Sequence, residues 1–154
     1  MLGLTTYTFF KFLHVLFAIV AVGFNASYGV WLARAAREPE HQGHVLRGIK
    51  VLDDRFANPA YGLLLVTGLV MVWVGDLSLT QFWLAAGLGL YVLAVLLGLL
   101  VYTPALRNQI RLLDAEGPSS PAFQALSKRA TLVGMVLAVD VVIIVFLMVT
   151  KPTI

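Results

Sequence analysis

The sequence predicts an all-α membrane protein, a four-transmembrane-helix antiparallel bundle with a cytoplasmic interfacial amphipathic helix. Three observations predict it. Of 154 residues, 60% are hydrophobic and only 12% charged, where a soluble domain carries about a quarter charged. Four long stretches are nearly free of charge. Nine of the eleven lysines and arginines gather between those stretches, in residues 34–55 and 107–129.

A helix needs about 20 apolar residues to cross the hydrocarbon. The spans are expected at residues 8–33, 59–74, 82–103 and 131–150, in a single membrane domain covering 1–154. The second is short and must stand nearly upright or thin the bilayer locally. Asn58-Pro59 offers a cap followed by proline at the first helical position. Ser78 and Gln81 have capping-box spacing ahead of the third span. Pro104 closes that span or kinks its continuation. Glu116-Gly117-Pro118-Ser119-Ser120-Pro121 is a loop signal, and Ser120-Pro121 starts a helix that runs into span four.

Charge then sets the orientation. The connection from Gly75 to Gln81 carries Asp76 and no basic residue, so it is expected to face outward. The two basic stretches face the cytoplasm by the positive-inside rule, leaving both termini extracytoplasmic. Val45, Ile49, Leu52 and Phe56 recur at helical spacing opposite Arg47, Lys50 and Asp54. That pattern predicts an amphipathic helix over 41–57, lying in the membrane interface and leading into span two. Trp31, Trp73 and Trp83 fall near span ends and read as interface anchors.

Two ionisable residues stand out inside apolar runs, where such groups are expensive and usually functional. His14 opens a stripe on span one that continues through Ala18, Ala21, Asn25 and Tyr28. This small and polar face is expected to point into the bundle. Asp140 lies near the middle of span four, where an ionised carboxylate costs about 3 kcal/mol on insertion scales. Its partner must come from another span, and His14 is the titratable group of opposite sign at comparable depth. A His14–Asp140 contact is therefore expected, and His14, Asn25 and Asp140 form the candidate intramembrane polar site.

Other signals are weaker. Ala85/Gly89, Ala94/Gly98 and Gly134/Ala138 have small-xxx-small spacing and read as bundle packing. His41 and His44 sit near Glu38 and Glu40, but zinc wants three or four ligands, so they read as solvated loop residues rather than a metal site. With no cysteine in the chain, thiol catalysis and cysteine-ligated metals are excluded. No nucleophile motif, phosphate loop or nucleic-acid signature is present. No catalytic residue is assigned.

The order of the short motifs carries a resemblance. Lys11-Phe12-Leu13-His14 leads into a small-residue run ending at Gly23. Asn58-Pro59 is followed by Thr67-Gly68, Phe82-Trp83 opens span three, and Tyr102-Thr103-Pro104 closes it. Asp140 precedes the exit Met148-Val149-Thr150-Lys151-Pro152. Together these resemble the small bacterial four-span membrane proteins of domain-of-unknown-function family 2269, which implies the bacterial inner membrane and no particular activity. The pattern around Leu13-His14-Val15 is more distantly similar to haem-binding four-helix membrane proteins such as the HemJ-type protoporphyrinogen oxidases. That likeness implies His14 as a haem b ligand. Of the family's ligands only His14 carries over, since span three contains no lysine, histidine or methionine.

Three functions follow as expectations. The leading one is a non-enzymatic accessory or interaction subunit of the bilayer, working as a homo-oligomer or within a larger membrane complex, its polar residues holding the bundle together. The alternatives are a haem b redox protein using His14 and a proton-coupled transport component using His14 and Asp140.

Overall fold

In a computed structural model describing residues 5–152, the chain is helical nearly throughout, with no strand among the described residues. Six α-helices follow one another: α1 Thr6–Ala35, α2 Gln42–Leu52, α3 Asn58–Val74, α4 Phe82–Leu97, α5 Thr103–Glu116 and α6 Pro121–Thr150. Two of the junctions are not breaks. Asp53–Ala57 joins α2 to α3 and Gly98–Tyr102 joins α4 to α5, each as one π-helical turn. The chain thus forms four long rods, and all four are long and apolar enough to cross a membrane.

The π-turns have a local cause. A proline inside a helix lacks an N–H and pushes its ring against the carbonyl four residues back. Pro59 and Pro104 each follow a widened turn, in which Asn58 N–H reaches Asp53 O and Thr103 N–H reaches Gly98 O, five residues back. Widening lets the helix pass the proline without stopping.

This corrects the expected cap at Asn58. The residue is itself helical, and its side chain donates to the Asp53 carboxylate instead of closing a helix end. The capping box at Ser78 also fails to form. Gln81 precedes α4 without a side-chain cap, and Ser78 Oγ turns to Thr80. At Ser120 the cap does form, with Oγ accepting from Phe123 N–H.

Helices pack as two pairs, α1 on α3 and α4 on α6, while α3 and α4 barely touch. The pairs are tied together at the end carrying the basic loops. There Tyr28, Leu46, Ile49, Tyr102, Leu106 and Phe123 form the main core. The apolar side of α2 packs on α5 and α1. Leu46 and Ile49 are buried there, while Val51 and Phe56 of the same amphipathic segment stay exposed. Along the rods a slot remains between the pairs, lined from both sides.

Large apolar side chains cover the outside of the rods: Ile19, Trp73, Leu100, Val142 and Val149 are each more than half exposed. A soluble protein does not present such a continuous apolar surface. Trp31 and Trp73 belong to it, but Trp83 does not. It is buried, with Lys151 Nζ 5.2 Å from its ring centroid.

Candidate functional site

Two cavities occupy the slot. One, of about 480 Å³, lies towards the ends of the chain and is walled by His14, Gly68, Trp83, Gly87 and Met148, with Tyr7, Lys11 and Lys151 also lining it. The other, of about 730 Å³, runs towards the basic end and is lined by Asn25, Tyr28, Asp53, Tyr61 and Tyr102 among mostly apolar neighbours. We call them the His14 cavity and the tyrosine cavity. Leu65 and Tyr91 line both and so form the waist between them. Tyr91 is pinned there by donating its hydroxyl to Tyr61 O at 2.6 Å.

His14 projects from α1 onto α3. Its Nδ1 lies 3.0 Å from Leu64 O and 3.1 Å from Thr67 Oγ1. A carbonyl oxygen only accepts, so Nδ1 carries the proton and donates it. Thr67 can take a share of that donation because its own hydroxyl donates to Leu63 O at 2.8 Å. The tautomer is thereby set, and Nε2 is left as a bare lone pair with no hydrogen bond among the described residues. The ring comes this close because residue 68 is glycine. A Cβ there would stand 3.0 Å from His14 Cε1.

Asp140 is buried, and its Oδ2 has no hydrogen-bond partner among the described residues. The expected His14–Asp140 contact does not form. The physical reason is that a neutral imidazole needs a hydrogen-bond acceptor rather than an opposite charge, and α3 supplies one as a backbone carbonyl. Along α6, Leu137 and Val141 line the tyrosine cavity while Ile144 and Met148 line the His14 cavity. Asp140 lines neither and sits at the level of the waist. Asn25 is on the tyrosine cavity, donating from Nδ2 to Ala21 O at 2.9 Å and Tyr61 Oη at 3.2 Å. The three residues expected as one polar site are therefore spread over two cavities and the wall between them.

A polar cluster that the sequence reading did not single out lies at the basic end of the tyrosine cavity. Asp53 is only 4% exposed, and its Oδ2 accepts from Asn58 Nδ2 and Thr103 Oγ1, both at 3.2 Å. Both π-turns contribute. One contains Asp53, and the other ends just before Thr103. Such turns often mark functional sites. The adjacent prolines, visible in the sequence, were the signal that could have located the cluster. Among the described residues no group of three or more metal-ligating side chains comes together, and His41 rests beside Glu38 and Glu40 on the exposed surface.

No curated protein and no solved structure matches the chain. Residues 8–152 match the model of a family described as predicted integral membrane proteins, DUF2269. Four membrane-length rods, an apolar outer surface and a match over nearly the whole sequence agree, and the chain belongs to that family of integral membrane proteins.

Proposed function

We propose that this protein is a membrane redox protein that holds haem b in the His14 cavity. The observation that carries the reading is the state of His14, with Nδ1–H donated to a backbone carbonyl and Nε2 free on an apolar cavity. Histidine ligands of metals are typically oriented through the other ring nitrogen in this way. An accessory role, in which polar residues only hold the bundle together, accounts for Nδ1 and leaves Nε2 without a purpose.

The cavity fits the group in four respects. Its volume of about 480 Å³ falls in the range of cofactor pockets. Its walls are largely apolar, as haem requires. Met148 lines it from α6, on the opposite helix pair, and a histidine with a methionine would hold a haem iron. A second ligand, missing from span three, would then come from span four. Lys11 and Lys151 supply two cations that suit the haem carboxylates. When bound, the group supplies one-electron chemistry. The chain's part is to ligate, to exclude water and to place the carboxylates near the lysines.

The test is optical. Protein purified from haem-supplemented cells should show a Soret band that His14→Ala abolishes. Met148→Leu should keep the haem but alter the spectrum to that of a five-coordinate iron. Absence of any Soret absorbance from the supplemented wild type would overturn the reading.

Proton-coupled transport is the second reading, favoured by one observation: the unpartnered Asp140 carboxyl at the waist between two cavities. It requires Asp140→Asn to abolish a pH-driven flux in proteoliposomes while leaving the fold intact. Normal flux in that variant would remove it. For either function we place the protein in the bacterial inner membrane with its basic end in the cytoplasm. The support is the clustering of Arg34, Arg37, Arg47, Lys50, Arg107, Arg111, Lys128 and Arg129 at one end of the rods.

A further inference from the structure

We propose that the tyrosine cavity binds a primary ammonium group carried on an apolar body. Two acceptors on its lining carry the inference. Asp53 uses Oδ2 for both of its hydrogen bonds, and Oδ1 accepts none among the described residues. Tyr28, only 2% exposed, has a buried hydroxyl with no partner among the described residues. Both residues line the one cavity. Leaving buried acceptors unmade is costly, and leaving a buried carboxylate without a counter-ion is costlier still.

The neighbouring charges meet that need only from a distance. Lys50, one turn before the π-turn, acts on Asp53 but is directly engaged by Asp54. Among the described residues no cation lies within ion-pairing distance of Asp53. The cavity therefore asks for a positive charge, and the unfilled acceptors ask that it donate hydrogen bonds. An –NH₃⁺ head brings one charge and three donors. A quaternary ammonium brings the charge alone, and a carboxylate is repelled. The rings of Tyr61, Tyr91 and Tyr102 line the same space and offer faces that attract cations.

The rest of the ligand is set by the opposite wall. Val92, Leu96, Leu99 and Val142 line the cavity and are also exposed on the outer surface. An apolar tail can leave between them into hydrocarbon. Two sources share this chemistry, the amine headgroup of a phosphatidylethanolamine-type lipid and a free lipophilic amine.

Calorimetric titration of the full chain in a neutral detergent tests it with octylammonium as probe. Octylammonium should bind at least tenfold more tightly than octyltrimethylammonium or octanol, and octanoate should not bind. Asp53→Asn should weaken octylammonium at least tenfold. Tyr28→Phe, which removes an unpartnered hydroxyl and so keeps its fold, should weaken it severalfold. His14→Ala should leave the affinity unchanged, which separates this site from the haem reading. In nanodiscs, weaker apparent binding in phosphatidylethanolamine than in phosphatidylcholine identifies the lipid headgroup as occupant; equal binding identifies a free amine. Equal affinity for octylammonium and octanol would overturn the proposal, as would wild-type binding in Tyr28→Phe. The ligand comparison on the wild type decides the matter even if Asp53→Asn does not fold.

Discussion

The imidazole of His14 occupies the space that a side chain on Gly68 would take, with Cε1 3.0 Å from where a Cβ would stand. This contact fixes how far α1 settles onto α3 and how the Nδ1 hydrogen bond is aimed.

Gly68→Ala is expected to push the ring back by a few tenths of an ångström. The strained hydrogen bond to Leu64 should lose up to about 1 kcal/mol, the ordinary net worth of such a bond. Any Soret band should weaken or shift with it. A thermal melt read beside the absorbance spectrum checks both, and an unchanged spectrum would show that ring position does not govern the site.

Asp140→Leu should raise stability. An unpartnered carboxyl in the centre of a span is replaced by a side chain suited to hydrocarbon, a gain of about 3 kcal/mol on insertion scales. Detergent melts should show a higher midpoint for Asp140→Leu than for Asp140→Asn, with wild type lowest. A lower midpoint for the leucine variant would mean that the carboxyl has a partner in the membrane.

Thr103→Val removes one of the two donors on Asp53 and should cost about 1–3 kcal/mol, as expected when a buried acceptor loses its partner. Combining it with Asp53→Asn should cost less than the sum of the two single changes, because both act on one network. Additive losses in the double-mutant cycle would show the two residues to be independent.

Packing and surface charge should separate cleanly at the basic end. Leu106→Ala empties part of the main core and should cost about 2–5 kcal/mol. Arg47→Ala breaks a 2.5 Å ion pair with Asp114 whose side chains are both more than half exposed, and should cost less than about 1 kcal/mol. Chemical denaturation of both variants gives the comparison.

Because the chain has no cysteine, its orientation can be read with single introduced thiols. In intact cells, Ser78→Cys should react with a membrane-impermeant maleimide, whereas Ser119→Cys should react only after lysis. The reverse pattern would invert the proposed topology.

The four rods were legible because hydropathy over about 20 residues is a strong signal, and the cap at Ser120 because its chemistry is entirely local. The partner of His14 was not. Counting depth from the helix ends singles out Asp140 as a charge partner, but the bond goes to the carbonyl of Leu64, which every residue possesses and no sequence pattern reveals. Thr67-Gly68 reads in the sequence only as a motif, although one residue shares the imidazole's hydrogen bond and the other makes room for the ring. Asp53 escaped because the segment reads as an amphipathic surface helix with Asp54 on its polar side. Only the fold brings Thr103 to it from 50 positions away.

Each π-turn also takes up one residue more than an α-helical turn. A 3.6-residue stripe followed from Val45 into α3, or from Leu97 into α5, therefore slips by one position, so the two parts of each rod keep separate registers. Deleting one residue within Asp53–Ala57 together with Pro59→Ala would let that rod close into uninterrupted α-helix, with the faces on either side preserved. Insertions and deletions of a single residue, ruinous elsewhere in a packed rod, have these two places where they can be absorbed. Relatives that differ in length by one residue should carry the difference there.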